Sequence, residues 1–180
     1  MKKDSDIKDF LLQGFGMQGP VLCLGSNSFR LGQILMLSGV EVIALESRPA
    51  MLSQSQNQWP QLRIIEGSYI NISFRHYLQG IILLNEIKSI NEFFWHAMPE
   101  VFWEALQPDG RILLIEEKFP EALNSFKILD RLFQESGFIR VLQKGPGFND
   151  PILDGYLSGW WEKALHDTTT ISGDRDLNFS

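Results

Sequence analysis

The chain has 180 residues, a net charge of −6, 44% hydrophobic and 21% charged residues, as expected of one globular domain with a single substantial core. The acidic balance argues against a broad nucleic-acid surface, which needs an excess of Lys and Arg, and the longest apolar runs, such as Gly80-Ile-Ile-Leu-Leu84, are far too short to span a membrane. Met1-Lys-Lys-Asp has no apolar stretch behind it and is no secretory signal, and the single Cys23 has neither a disulfide partner nor metal-ligand spacing, so the expectation is a cytoplasmic protein without a metal.

Residues 4–16 predict a helix with Ile7, Phe10, Leu11 and Leu12 on one side, ended by the glycines before Pro20. Residues 21–24 are a continuous apolar run, the pattern of a strand covered on both faces, and Cys23 within it reads as a small core residue. Gly25 opens a loop, and residues 29–37 predict a helix closed by Ser38-Gly39. Residues 42–45 read as a second strand ending at Glu46, and 49–55 as the start of a second helix. A third strand over 62–65 ends at Glu66-Gly67-Ser68, and a fourth covers 80–85.

Residues 91–106 carry Phe94, Met98, Val101, Phe102 and Ala105 at helical spacing. Pro108-Asp-Gly110 turns the chain into a fifth strand over 111–115, and 124–136 predict a helix stopped by Gly137. Runs at 138–142 and 155–161 are two last strands; no helical pattern separates them, so antiparallel pairing is expected. Residues 166–180 are polar and aperiodic and predict a flexible tail. Strands alternating with helices give one α/β domain of three layers over residues 1–165, parallel through its first five strands.

A strand–loop–helix–strand unit with an acid at the second strand's tip is how many nucleotide-type cofactors are held. The loop presents backbone amides at a helix start, and the acid, here Glu46, accepts hydrogen bonds from ribose hydroxyls. In open sheets of this kind ligands sit beyond the carboxyl ends of the strands. That edge would carry residues 25–29, Glu46, Gly67, Ser68, Asn85, Glu86, Glu116 and Glu117.

In combination, these segments resemble class I S-adenosylmethionine-dependent methyltransferases over roughly residues 5–165. The resemblance rests on Val21-Leu-Cys-Leu-Gly25, Val42-Ile-Ala-Leu-Glu46-Ser-Arg-Pro-Ala-Met-Leu52 and Ile64-Ile-Glu-Gly67-Ser68. It rests equally on Glu104-Ala-Leu-Gln-Pro-Asp-Gly-Arg-Ile-Leu-Leu-Ile-Glu116, and on Phe133-Gln-Glu-Ser-Gly-Phe138 followed by Tyr156-Leu-Ser-Gly-Trp-Trp161. It implies a Rossmann-like, mostly parallel seven-stranded sheet with an antiparallel last strand. It further implies S-adenosylmethionine as cofactor, held by Gly25, Ser26, Asn27, Ser28, Glu46, Ser47, Gly67, Ser68, Asn85 and Glu86, with a small molecule or a protein as methyl acceptor.

The chain departs from the family pattern at four positions. Cys23 stands where members usually have an acid, Asn27 and Phe29 replace the second and third loop glycines, and Ser68 replaces an acid near the adenine. The Phe29 ring has two places to go, the seam between sheet and helix or the space of a methionine moiety. The second leads to a different function, a binding or scaffolding protein with the fold but no turnover. An NAD-dependent reductase fits less well, because it needs glycines at 27 and 30.

Glu86, His76 and His96 are the visible candidates for a general base, and both histidines read as structural because neither lies on the expected rim. Adjacent aromatics at 93–95, 102–103 and 160–161 cannot all face inward from one helix or strand face. Some of Phe93, Trp95, Trp103 and Trp160 or Trp161 are therefore expected at the surface, as a substrate mouth or a homodimer contact.

Overall fold

The uninterrupted apolar runs of the sequence become strands covered on both faces. The computed structural model describes residues 4–117, 120–141 and 156–164. In chain order these form α1 (Asp4–Phe15), β1 (Val21–Leu24), α2 (Phe29–Leu37), β2 (Val42–Glu46), α3 (Pro49–Gln58), β3 (Arg63–Glu66) and β4 (Leu78–Leu84). There follow α4 (Met98–Ala105), β5 (Leu106–Glu117), α5 (Pro120–Glu135), β6 (Phe138–Arg140) and β7 (Tyr156–Lys163). Short 3₁₀ turns stand at Ser26–Ser28, Ile87–Ser89 and Glu92–Phe94. No helix among the described residues is long and apolar enough to cross a membrane.

The strands make one seven-stranded sheet in the order β3-β2-β1-β4-β5-β7-β6. β1 pairs in parallel with β2 (Val21 beside Val42) and with β4 (Val21 beside Gly80). β7 runs antiparallel to both β5 and β6, as expected from the lack of a helical pattern in the sequence between the last two runs. From β1 the chain steps outward through β2 and β3, then returns to the other side of β1 as β4. The order of strands therefore reverses between β1 and β4, the point at whose carboxyl ends ligands bind in open sheets of this kind.

Side chains alternate across the strands and divide the core in two. On one face Leu22, Leu24, Ile81 and Leu83 pack with Phe102, Phe133 and Trp161 under α4 and α5. On the other, Val21, Cys23, Ile82 and Leu113 pack with Leu11, Phe15, Phe29 and Trp160 under α1 and α2. Trp160 meets Phe15 edge-on at a centroid separation of 4.7 Å, and Trp161 lies 5.1 Å from Phe133. Both tryptophans of the adjacent pair are thus buried, which corrects the expectation that one would be exposed. β7 is an interior strand with a helical layer on each side, so its two faces both lie in core. Trp95 is buried too, whereas Phe93 is 82% exposed.

Two elements differ from the sequence reading. The helix expected over 91–106 is a 3₁₀ turn, capped by the Asn91 side chain, followed by α4 only from Met98. Pro99 lies in the first helical turn, where its missing N–H is harmless and its fixed φ favours a start. The turn expected at 108–110 is instead a bulge inside β5. The register jumps from Leu78 beside Leu106 to Gly80 beside Arg111, with Asp109 at φ 62°. α2 has the bounds its pattern predicts. The expected tail and residues 142–155 lie outside the described residues.

Candidate functional site

Gly25 ends β1 with φ 75°, a backbone conformation that L side chains rarely adopt. A Cβ there would also stand 2.1 Å from Cδ of Glu86, so the carboxylate lies directly against the glycine backbone. Ser28 is fully buried, and its hydroxyl donates to the carbonyls of Leu24 and Gly25 at 2.9 and 2.7 Å. It braces the loop from inside. Asn27 points the other way, its Nδ2 donating to Glu86 Oε1 at 3.0 Å and, at 3.4 Å, to the carbonyl of Asn85.

Glu46 sits at the tip of β2 with no exposed surface. Burial pushes its carboxyl up, but the hydrogen bonds and charge of Arg48, with help from the Ser26 backbone, outweigh this and hold it below the usual range. Arg48 gives Glu46 three bonds: backbone N–H to Oε1 at 2.9 Å, Nε to Oε1 at 2.8 Å and Nη2 to Oε2 at 3.1 Å. The same Nη2 donates to Ser26 Oγ at 3.0 Å.

Glu86 is equally buried. Burial raises its carboxyl to about 7, against the charge of Arg48 and the hydrogen bond from Tyr69, which pull it down. Tyr69 donates to Oε2 at 3.2 Å, and Arg48 Nη2 lies 3.7 Å from Oε1. Asn85 adopts φ 53° and ties the ends of β4 and β5 together, its N–H donating to the carbonyl of Ile115 and its Oδ1 accepting from Glu117 N–H. Glu116, buried at the tip of β5, accepts from Ile87 N–H at 2.9 Å and so fixes the 3₁₀ turn after Glu86. Burial raises this carboxyl as well.

Gly67 and Ser68 follow β3 on the same edge; Gly67 N–H donates to the Glu46 carbonyl, and Ser68 is exposed. Ser47, between Glu46 and Arg48, lies near the Tyr69 hydroxyl. The carboxyl edge thus gathers the sequence-predicted residues, with Ser28 turned inward. The sequence reading missed Arg48 and Tyr69, both of them adjacent to residues it had singled out.

His76 lies at the opposite, amino edge, where its Nδ1 accepts from Lys163 Nζ at 3.2 Å, and His96 is an exposed residue before α4. Phe29 is fully buried in the core beneath α2. The close contact between helix and strand falls to Gly32, whose Cβ would be 2.8 Å from Cys23 Sγ. Following Glu86 in the chain, Ile87 and Ile90 line a cavity of about 170 Å³ whose polar lining is Lys88, Glu92, Glu116 and Ser125.

No protein-family model and no curated protein sequence matches the chain. Solved structures do. The glycopeptide N-methyltransferase MtfA, complexed with S-adenosyl-L-homocysteine, superposes with a TM-score of 0.70 at 15% identity over 91% of this chain and 90% of that one. A TehB-like SAM-dependent methyltransferase from Corynebacterium glutamicum gives 0.65 at 15%, over 89% and 86%. The Burkholderia thailandensis 1,6-didemethyltoxoflavin-N1-methyltransferase, with bound S-adenosylhomocysteine, gives 0.64 at 14%, over 90% and 78%. At such identities the likeness is one of fold: the chain has the Rossmann-like, mostly parallel α/β architecture of these methyltransferase structures.

Proposed function

We propose that the chain binds S-adenosylmethionine along the carboxyl edge of β1, β2 and β4 and transfers its methyl group to a small acceptor. One observation carries this: a wholly buried carboxylate, Glu46, at the tip of β2, beside a glycine loop at the point where strand order reverses. The donor set suits the group. Glu46 can hold a ribose diol, Gly67 and Ser68 flank the adenine side, and Asn27 and Glu86 line the far end of the loop. Phe29 sits in the core, so the steric argument for a scaffold without cofactor loses its basis.

The cofactor, when bound, supplies an activated methyl on a sulfonium. The protein's part is then chiefly positioning. Glu86, with a carboxyl at about 7, exchanges a proton readily near neutral pH and lies against the glycine loop, while the next residue, Ile87, lines the cavity. It is the residue suited to take a proton from an acceptor hydroxyl or ammonium. At about 170 Å³ the cavity admits a small molecule or a single protein side chain.

Titration calorimetry with S-adenosylmethionine and S-adenosylhomocysteine, using NADH as control, tests the reading. Both sulfur ligands are expected to bind in the micromolar range, and Glu46→Ala to weaken them at least several-fold. Unchanged affinity in that variant would remove Glu46 from the site.

A further inference from the structure

Glu46, the residue on which the proposed cofactor site depends, already has an occupant. Both of its carboxylate oxygens are bonded to the Arg48 side chain, at 2.8 Å through Nε and 3.1 Å through Nη2. Nη2 also holds Ser26 of the glycine loop at 3.0 Å and stands 3.7 Å from the second buried acid, Glu86. Three groups that a nucleoside would approach, Glu46, Ser26 and Glu86, are therefore drawn onto one guanidinium. The arginine side chain is 38% exposed while that of Glu46 is 0% exposed, so what shields the acid on its solvent side is Arg48 itself.

We propose that Arg48 is an internal competitor for the ribose position: a specificity-determining latch that covers Glu46 and must swing aside before a nucleoside diol can bond it. This rests on the reading of the edge as a nucleoside site. The chemistry sets the direction of the effect. A ligand replaces bonds from a cation with bonds from two neutral hydroxyls to the same carboxylate, so the attraction between the two opposite charges is lost and displacement lowers affinity. The displacement remains feasible because a partly exposed ion pair contributes little to the fold. Glu86 also stands close enough to receive the released guanidinium. The latch acts only on ligands that need Glu46. One lacking the 2′-hydroxyl gains less from opening it.

The test compares wild type, Arg48→Ala and Arg48→Lys by calorimetry with S-adenosylhomocysteine, adenosine and 2′-deoxyadenosine. Arg48→Ala is expected to bind the first two roughly tenfold more tightly, with much less gain for the deoxynucleoside. Arg48→Lys, which keeps the charge but cannot bond both oxygens as a fork, is expected in between. A merely structural arginine would give weaker or unchanged binding of all three, and that result overturns the latch. If Arg48→Ala does not fold, the Arg48 Nε–H resonance of wild type decides. It should move on saturation with S-adenosylhomocysteine, and a fixed resonance overturns the proposal. Wild-type binding without gain in the variants sinks the latch and leaves the cofactor site standing. Binding by the variants alone supports both, and binding by none sinks both.

Discussion

Glu86 has the clearest pH signature of any residue in the site. Its carboxyl stands at about 7 in the folded chain against an ordinary value of 4.5, chiefly because it is buried. The native state therefore holds a proton that the unfolded chain has released. The resulting stability is complete below about pH 4.5 and is lost as pH rises through about 7. Wild type should thus lose stability between about pH 4.5 and 7 relative to Glu86→Gln, which keeps the shape without the titration. Urea midpoints across that range check it, and parallel profiles for the two proteins would refute it. The places of Gly25 and Glu46 were legible in the sequence because they follow from position, at the ends of two apolar runs. Arg48 was not. Its role depends on a long side chain folding back two residues and reaching Ser26, and no periodicity records the direction a flexible side chain takes. Ser28 was misassigned to the ligand side for a related reason, since a loop serine offers its hydroxyl equally to solvent or to the carbonyls beneath it.

At the level of elements, α1 is seated on the sheet through an absent side chain. A Cβ on Gly80 of β4 would lie 2.2 Å from the ring of Phe15. Gly80 pairs with both β1 and β5, so its backbone cannot retreat. Gly80→Ala should therefore overpack the seam and cost roughly 1–3 kcal/mol, read as a lowered urea midpoint; a neutral or stabilised variant would show that α1 yields. α2 was legible to the residue, because Ser38-Gly39 marks its end and the apolar spacing its body. The stretch at 91–106 misled because apolar residues three and four apart fit a 3₁₀ turn followed by a short helix as well as one long helix. The proline that settles the matter, Pro99, sits in the middle of the pattern. The start of β5 was hidden similarly. Pro108-Asp-Gly110 has turn chemistry, and a bulge uses that chemistry without ending the strand.

For the molecule as a whole, α/β alternation was enough to foresee the layers, whereas the neighbour relations of the strands rested on family resemblance. Composition does not say that β4 lies beside β1. Cys23 reports on that whole assembly. It is wholly buried between β2 and β4, with its thiol pushed up to about 12 by burial. A thiol reagent should therefore label it only at the rate of global opening, and the labelling rate should rise in step with denaturant-induced unfolding. Rapid labelling of the native protein would contradict this.

The position of β7 has a consequence for biosynthesis. It lies between β5 and β6 in the sheet yet follows both in the chain. While the ribosome is still adding residues 141–163, the apolar edge of β5 stands without a neighbour and β6 has nothing to pair with. For that interval the nascent chain presents an open sheet edge of the kind that invites strand exchange with another copy. Closure comes when the final strand slides into a gap already flanked on both sides, a non-local step that is slow by its topology. The chain is consequently most in need of chaperone protection just before β7 arrives.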